Sequence, residues 1–278
     1  IGDQRGGQRA VLQAAGLIAD IDYPIEWAQF PNAAPLLEAI ATQAIDTGSG
    51  GDAAFIFAVG SGAPVRAIGA SKSHGLGNVL IVPNASPIRT IADLPGKRIA
   101  TPRGSIGHNY VLAPLEHIGK PYDAVSFSFL GPAEGMAALQ AKAVDAWSMW
   151  DPYAAIAETQ GCRLVEAPAD LVPNCGFQFA HPRGIDEKRT LLTDYSKRLF
   201  RARQWVNAHR DDYAPILQRE TGMPIEIVRK MLARRQDNSV PIDDALIAEQ
   251  QKTADRYAAI KLLPRTIDVR EAFDQSFS

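Results

Sequence analysis

The sequence predicts an α/β protein of two similar lobes followed by a helical C-terminal segment. Three observations predict it. Short apolar, β-branched runs alternate with stretches of helical spacing up to about Val165, the pattern of sheets with helices on their faces. The rhythm breaks at the cluster Pro83-Asn84-Ala85-Ser86-Pro87 and then restarts. From Glu187 onward the pattern is mostly helical.

Taken in order, Gln8–Ala19 carries Val11, Leu12, Ala15 and Ile18 at helical spacing. Ile25–Phe30 reads as a strand. Asn32 offers a cap to a helix whose buried stripe is Leu36, Leu37 and Ile40. Ala44–Thr47 reads as a short strand ending in a glycine loop, followed by a helix over Ala53–Val59 and a strand over Val65–Ala70. Asn78–Val82 is apolar and β-branched and leads into the Pro/Asn/Ser cluster, read as a linker. Beyond it, strands are expected at Arg98–Thr101, Val125–Leu130, Val144–Trp150 and Cys162–Val165. Helices are expected between them at Gly107–Gly119, Ala133–Ala141 and Pro152–Thr159. A second linker runs from Ala167-Pro168 to Pro173-Asn174. In the tail, Leu191, Tyr195, Leu199, Ala202 and Val206 share one face of a long helix, with shorter helices at Asp212–Glu220, Pro224–Ala233 and Ile242–Tyr257. Two lobes joined by short linkers make a cleft, where small ligands sit.

Composition removes several classes. Of 278 residues, 46% are apolar and 22% charged, which excludes a disordered or coiled-coil chain. Lys and Arg number 29 against 31 Asp and Glu, so the net charge of −2 provides no field for nucleic acid or an anionic membrane. Cys162 and Cys175 are too few for a disulfide scaffold or a four-thiolate zinc site; one disulfide and two buried thiols both remain open. The longest unbroken aliphatic run, Val79–Val82, is far too short to span a bilayer. The chain opens at Ile1-Gly2-Asp3, without Met, in what reads as the middle of a strand. It is therefore expected to be a trimmed form, in which a missing export signal carries no information about compartment.

The loops that follow strands carry the functional signal, because ligands of open α/β sheets bind beyond the carboxyl ends of the strands. These are Gln4-Arg5-Gly6-Gly7, Gly48-Ser49-Gly50-Gly51-Asp52, Pro102-Arg103-Gly104-Ser105-Ile106-Gly107, Gly131-Pro132-Ala133 and Trp150-Asp151-Pro152-Tyr153. Glycine lets the backbone approach closely, and each loop precedes an expected helix whose first N–H groups favour an anion. None completes a nucleotide-binding pattern. Of Trp147 and Trp150, alternation sends one into the core and leaves the other to cover an apolar part of a ligand. Asp151 is either a helix cap or a ligand contact. The five histidines, His74, His108, His117, His181 and His209, show no metal spacing, and His108, just after a glycine loop, is the one placed for function. No nucleophile motif is present. The charges from Lys188 to Arg203 read as a solvated helix face.

These residues resemble the periplasmic substrate-binding proteins of ABC importers, in the aliphatic sulfonate, taurine and nitrate group. The matching stretches are Gly2–Gly7, Ile45–Asp52, Ser86–Ile88, Ile91–Ala100, Gly104-Ser105 with His108, and Leu171–Asn174. Val144–Tyr153 is the most specific and lies closest to the alkanesulfonate branch. The resemblance implies two Rossmann-like lobes of the type II periplasmic fold joined by a two-strand hinge, with residues 1–82 and 178–278 in one lobe and 83–177 in the other. It implies a monomeric, non-enzymatic periplasmic receptor, free or lipid-anchored, that needs no cofactor or metal and delivers an organosulfonate to an ABC transporter permease for sulfur uptake. By position the sulfonate falls to Gly51, the backbone of Asp52, and Ser105, with Gln4, Gly104 and Gly107 nearby. Trp150 or Trp147 covers the organic tail, and Asp151 meets a polar or cationic one. Gly50 and Gly107 stand where many relatives carry hydroxyls, and Ala53 and Ala54 where Thr and Pro are frequent. Arg5 and Arg103 compensate with charge or are simply solvated. The alternatives on the same fold are a taurine, nitrate or aminopyrimidine binder, and a desulfinase-like enzyme with a cleft cysteine, which the Gln4–Gly7 loop lacks.

Overall fold

A computed structural model describes residues 1–278 except 74–77, 166, 169, 170, 173, 235 and 278. His74 and Pro173, singled out above, lie outside the described residues. In chain order the elements are β1 (Gly2–Asp3), α1 (Gln8–Ala14), β2 (Ala28–Gln29), α2 (Ala33–Ala41), β3 (Thr47–Gly51), α3 (Asp52–Gly60), β4 (Arg66–Ser73) and β5 (Asn78–Pro83). There follow β6 (Arg98–Thr101), α4 (Ile106–His117), β7 (Ser126–Phe129), α5 (Pro132–Gln140), β8 (Ala146–Trp150), α6 (Tyr153–Thr159) and β9 (Cys162–Val165). The chain ends with β10 (Cys175–Ala180), α7 (Pro182–Ala208), α8 (Arg210–Thr221), α9 (Ile225–Arg234), β11 (Asp237–Val240) and α10 (Asp244–Ala259).

Two mixed sheets result, ordered β11-β4-β10-β3-β1-β2 and β7-β6-β8-β5-β9. The lobe boundaries differ from the expected ones. β5 pairs with β8 and β9, so it belongs wholly to the second sheet, and β10 pairs with β3 and β4 in the first. The chain therefore crosses after Ser73 and returns between Val165 and Cys175, not at 82/83 and 177/178. The Pro83–Pro87 cluster is a turn inside the second lobe, where Ser86 N–H donates to the Pro83 carbonyl at 2.9 Å.

The first glycine-rich stretch also differs: Gly48-Ser49-Gly50-Gly51 is not a loop but most of β3, paired over five residues with β10. Its glycines bring α2 close to the sheet. A Cβ on Gly48 would stand 2.8 Å from Leu36, and one on Gly50 2.6 Å from Ala33 Cβ. Helix α1 stops at Ala14 rather than Ala19, because Gly16 turns the chain with φ +70°. Asn32 caps α2 as expected, its Oδ1 accepting from Ala34 N–H at 3.0 Å.

The first core packs α2, α3 and α10 on one face of the first sheet, with Phe55 against Phe177, Phe179 and Phe273. The second lobe has apolar clusters on both faces of its sheet, one around Leu80, Ile99 and Val111 and one around Ile81, Trp147 and Met149. Leu112 of α4 packs into the first lobe's core, so the lobes share apolar contact on that flank. No helix among the described residues is long and apolar enough to cross a membrane. Cys162 and Cys175 are both free thiols.

Candidate functional site

A cavity of about 530 Å³ opens at the carboxyl ends of β1 and β3 and the amino end of the antiparallel β10, in the range typical of ligand pockets. Its floor is Gln4–Gly7, Ser49–Gly51 and Cys175-Gly176; its walls come from α1, α7, α8 and α9, and Asp151-Pro152 of the second lobe close one side. The sheet positions these residues. Gln4 Nε2 donates to the Ser49 carbonyl at 3.0 Å, tying the first loop to β3. Gly7 must lack a side chain, since a Cβ there would stand 2.6 Å from the Gln4 carbonyl oxygen.

The lining divides by chemistry. One part is polar: the donors Arg5, Arg203, Arg210, Asn207 and the Ser49 hydroxyl, with the carboxylates of Asp3, Asp151 and Asp237 beside them. Arg5 is anchored through its Nε, which donates to the Glu220 carbonyl at 2.7 Å. Buried atoms Ser49 Oγ and Arg210 Nε have no hydrogen-bond partner among the described residues. The other part is aliphatic: Val11, Leu199, Val206, Leu217, Met231 and Leu232.

Of the residues singled out in the sequence, the structure brings Gln4, Arg5, Gly51 and Asp151 to this cavity. It does not bring Asp52, Gly104, Ser105, Gly107, Trp147 or Trp150 to the lining, and each has a reason. Trp147 is fully buried in the second lobe's core, so it is no cover for a tail; Trp150 packs half-buried against the same cluster. Ser105 caps α4, its Oγ accepting from His108 N–H at 3.2 Å and donating to the Pro102 carbonyl at 2.7 Å. Gly107 sits where a Cβ would stand 2.7 Å from the Ser148 carbonyl oxygen, and Gly104 where one would meet the Phe57 ring at 2.7 Å. These two glycines let α4 approach the sheet and the first lobe approach α4. His108 is buried edge-on against the stacked rings of Phe127 and Phe129, with its Nδ1 accepting from Gly104 N–H at 3.3 Å. Burial, helped by the charge of Arg103, lowers its pKa to about 4 and keeps it neutral. Arg103 lies over the exposed Phe129 ring.

Asp52 is the first residue of α3 and is only 2% exposed. Its Oδ1 accepts from Ala53 N–H at 2.7 Å, while Oδ2 has no partner among the described residues. Burial pushes its carboxyl up to about 7, against the opposing pull of the backbone N–H groups.

The sequence reading missed the arginines of the tail. Arg203 closes a charged run read as solvated, yet α7 lies over the first sheet and turns Arg203 into the cavity. Arg210 stands at the first position of α8, where a cation works against the helix dipole. The sequence pattern starts this helix at Asp212, which leaves Arg210 outside it, so nothing along the chain marks it.

The lobes also touch on both flanks of the cleft. On one, Tyr257 Oη donates to the Ser105 carbonyl at 2.9 Å and Arg256 pairs with Glu116 at 2.5 Å. On the other, beside the cavity, Arg234 of α9 pairs with Asp151 at 3.5 Å and with Glu158 of α6. Asp151 Oδ1 also accepts from Ala155 N–H at 3.1 Å, so it caps α6 and binds Arg234 together. Replacing Arg234 with Met removes its ties to Asp151 and Glu158 and leaves only Lys230, 3.5 Å from Glu158, to bridge the lobes by charge on this flank. The expected result is a wider cleft in the ligand-free protein, read as a larger radius of gyration by small-angle scattering. An unchanged radius would show that the remaining contacts between the lobes suffice to hold the cleft.

A family model described as NMT1/THI5 like matches residues 21–178. The chain belongs to the NMT1/THI5-like family. Within reach of this family, it is 31% identical over 276 residues to the "Putative aliphatic sulfonates-binding protein" of Escherichia coli (strain K12), covering 98% of this chain and 86% of that one. Its fold is that of the periplasmic binding proteins. The periplasmic aliphatic sulphonate binding protein SsuA from Escherichia coli superposes with a TM-score of 0.90 at 30% identity, over 98% of this chain and 95% of that one. The alkanesulfonate-binding protein SsuA from Xanthomonas axonopodis pv. citri, bound to MOPS, superposes with a TM-score of 0.81 at 30% identity, over 98% and 96%. This member of the family thus carries the expected two-lobed architecture from end to end.

Proposed function

We propose that the protein is the periplasmic receptor of an ABC importer and binds a small aliphatic sulfonate in the cavity between its lobes. The observation that carries this is the division of the cavity wall into donors and aliphatic side chains. A sulfonate spreads one negative charge over three oxygens, which N–H and O–H donors and guanidinium groups satisfy. Its carbon chain needs the apolar wall, which burial of each methylene rewards by about 0.8 kcal/mol. Nitrate and sulfate have no chain to place there. An aminopyrimidine would need rings to stack on, and Tyr213 is the only aromatic residue lining the cavity among the described residues. The sulfonate specificity named for the relatives agrees with this division.

The site is built for binding rather than turnover. Cys175 lies in the cavity wall, but burial raises its thiol far above neutrality, so it is not a thiolate nucleophile. Cys162 is away from the cavity lining.

The test is a thermal-shift series on protein refolded free of carried-over ligand, with alkanesulfonates of graded chain length, taurine, nitrate, sulfate and an aminopyrimidine. A ligand at a hundred times its Kd stabilises by about 2.7 kcal/mol, roughly 5–10 °C for a protein of this size. Alkanesulfonates are expected to give that shift, increasing with chain length, while nitrate and sulfate give little. A series in which no sulfonate raises Tm would overturn the reading.

A further inference from the structure

We propose that the protein takes up a proton together with its anion, and that the Asp52 carboxyl holds that proton. The inference rests on the sulfonate reading of the cavity and adds a second, unassigned component to the bound state.

The geometry is that of a charge site behind the cavity wall. Gly51 lines the cavity, and Asp52 follows it directly as the first residue of α3. The carboxyl is turned away from solvent. Cys175 of β10 and Tyr257 of α10 face it, and both are neutral because burial raises their pKa values. Gln250 of α10 lies against Cys175 and hydrogen-bonds to its thiol, so it offers Asp52 no charge. The nearest charges beyond these are already paired: Lys72 with Glu249 on the Cys175 side, and Arg256 with Glu116 on the Tyr257 side. Asp52 thus has no cation of its own, one oxygen bound only to its own helix, and one oxygen with no partner.

A carboxylate in that position competes with a bound anion for the same positive helix end. An anion at Gly51 adds a second negative charge nearby and drives Asp52 toward its protonated form. The direction follows. The bound-state pKa lies above the free-state value. At pH below the free value the proton is already in place and affinity is at its plateau. As pH rises through that value, binding must carry a proton in, and Kd rises by up to about tenfold per pH unit until the bound-state pKa is passed.

Calorimetric titration of the refolded protein with butanesulfonate, at pH 7.5 in two buffers of different ionisation enthalpy, reads the proton directly. The expected result is net proton uptake, with a Kd about tenfold or more weaker at pH 8.5 than at pH 6.0. Asp52→Asn keeps the side-chain shape without the charge and should flatten the profile at the tight value. The carboxyl ¹³C signal of Asp52 in free wild-type protein, titrating near 7 rather than 4, supports the assignment without any variant. Binding with no proton uptake and a flat Kd overturns this inference and leaves the sulfonate reading standing. So does an Asp52→Asn profile as steep as the wild type's, which would place the proton elsewhere. Absence of butanesulfonate binding at every pH overturns both.

Discussion

Arg210→Met should weaken alkanesulfonate binding by about 10- to 100-fold while slightly raising stability. The two signs come from two separate facts. Arg210 lines the cavity and its buried Nε has no partner among the described residues, so a bound anion would gain a charge-assisted hydrogen bond there, worth about 1.5–3 kcal/mol. The same residue begins α8, where Asp211 and Asp212 suit the dipole and a cation does not. Removing the charge therefore relieves the helix by about 0.3–1 kcal/mol while taking a donor from the ligand. Calorimetry gives the first effect and a melting curve the second. A variant with wild-type Kd would show that the anion sits away from α8, on the Gly51 side of the cavity alone.

Gly107→Ala carries the largest expected loss of stability among single-methyl changes in the second lobe. The added Cβ would stand 2.7 Å from the Ser148 carbonyl and 2.8 Å from Thr101 Oγ1. One of these neighbours is backbone in the middle of the sheet, so α4 must move outward. That motion strains the Ser148 Oγ hydrogen bond to the Gly107 carbonyl, now 2.7 Å. Overpacking of this kind costs about 1–3 kcal/mol, a fall in Tm of roughly 2–10 °C. Gly184→Ala in α7 is the matched control. Nothing lies within 4 Å of its added methyl, and a helical glycine replaced by alanine gains about 0.4–1 kcal/mol. Equal Tm changes in the two variants would contradict the packing argument.

Much of the fold was legible because burial dictates pattern. Arg98–Thr101 and Cys162–Val165 were read with their observed bounds, since each is a short run flanked by turn residues. β3 was not, because glycines carry no β signal and its strand character comes from β10 beside it. β11 was missed for a related reason: Asp-Asn-Ser-Val is polar, and only its place at the sheet edge next to β4 makes it a strand. The site was legible in part. Loops Gln4–Gly7 and Trp150–Tyr153 follow strands in a local pattern and contribute Gln4, Arg5 and Asp151 to the cavity. Arg203 and Arg210 come from helices nearly two hundred residues further on, and no spacing along the chain reveals which face of α7 or α8 a tertiary contact will cover. Ser105 and Gly107 were misleading because a helix cap and a close packing contact use the same residue types as an anion loop.

The strand order of the first sheet also sets an order of assembly. β3 and β4 do not pair with each other; β10 lies between them. During synthesis the first lobe's early strands must wait, incompletely paired, until residue 180 has emerged. All strands of the second lobe lie between residues 78 and 165 and are complete before then. The lobe inserted in the middle of the chain is thus the one that can finish first, and the exposed edges of β3 and β4 are the surfaces most open to mispairing in the interval.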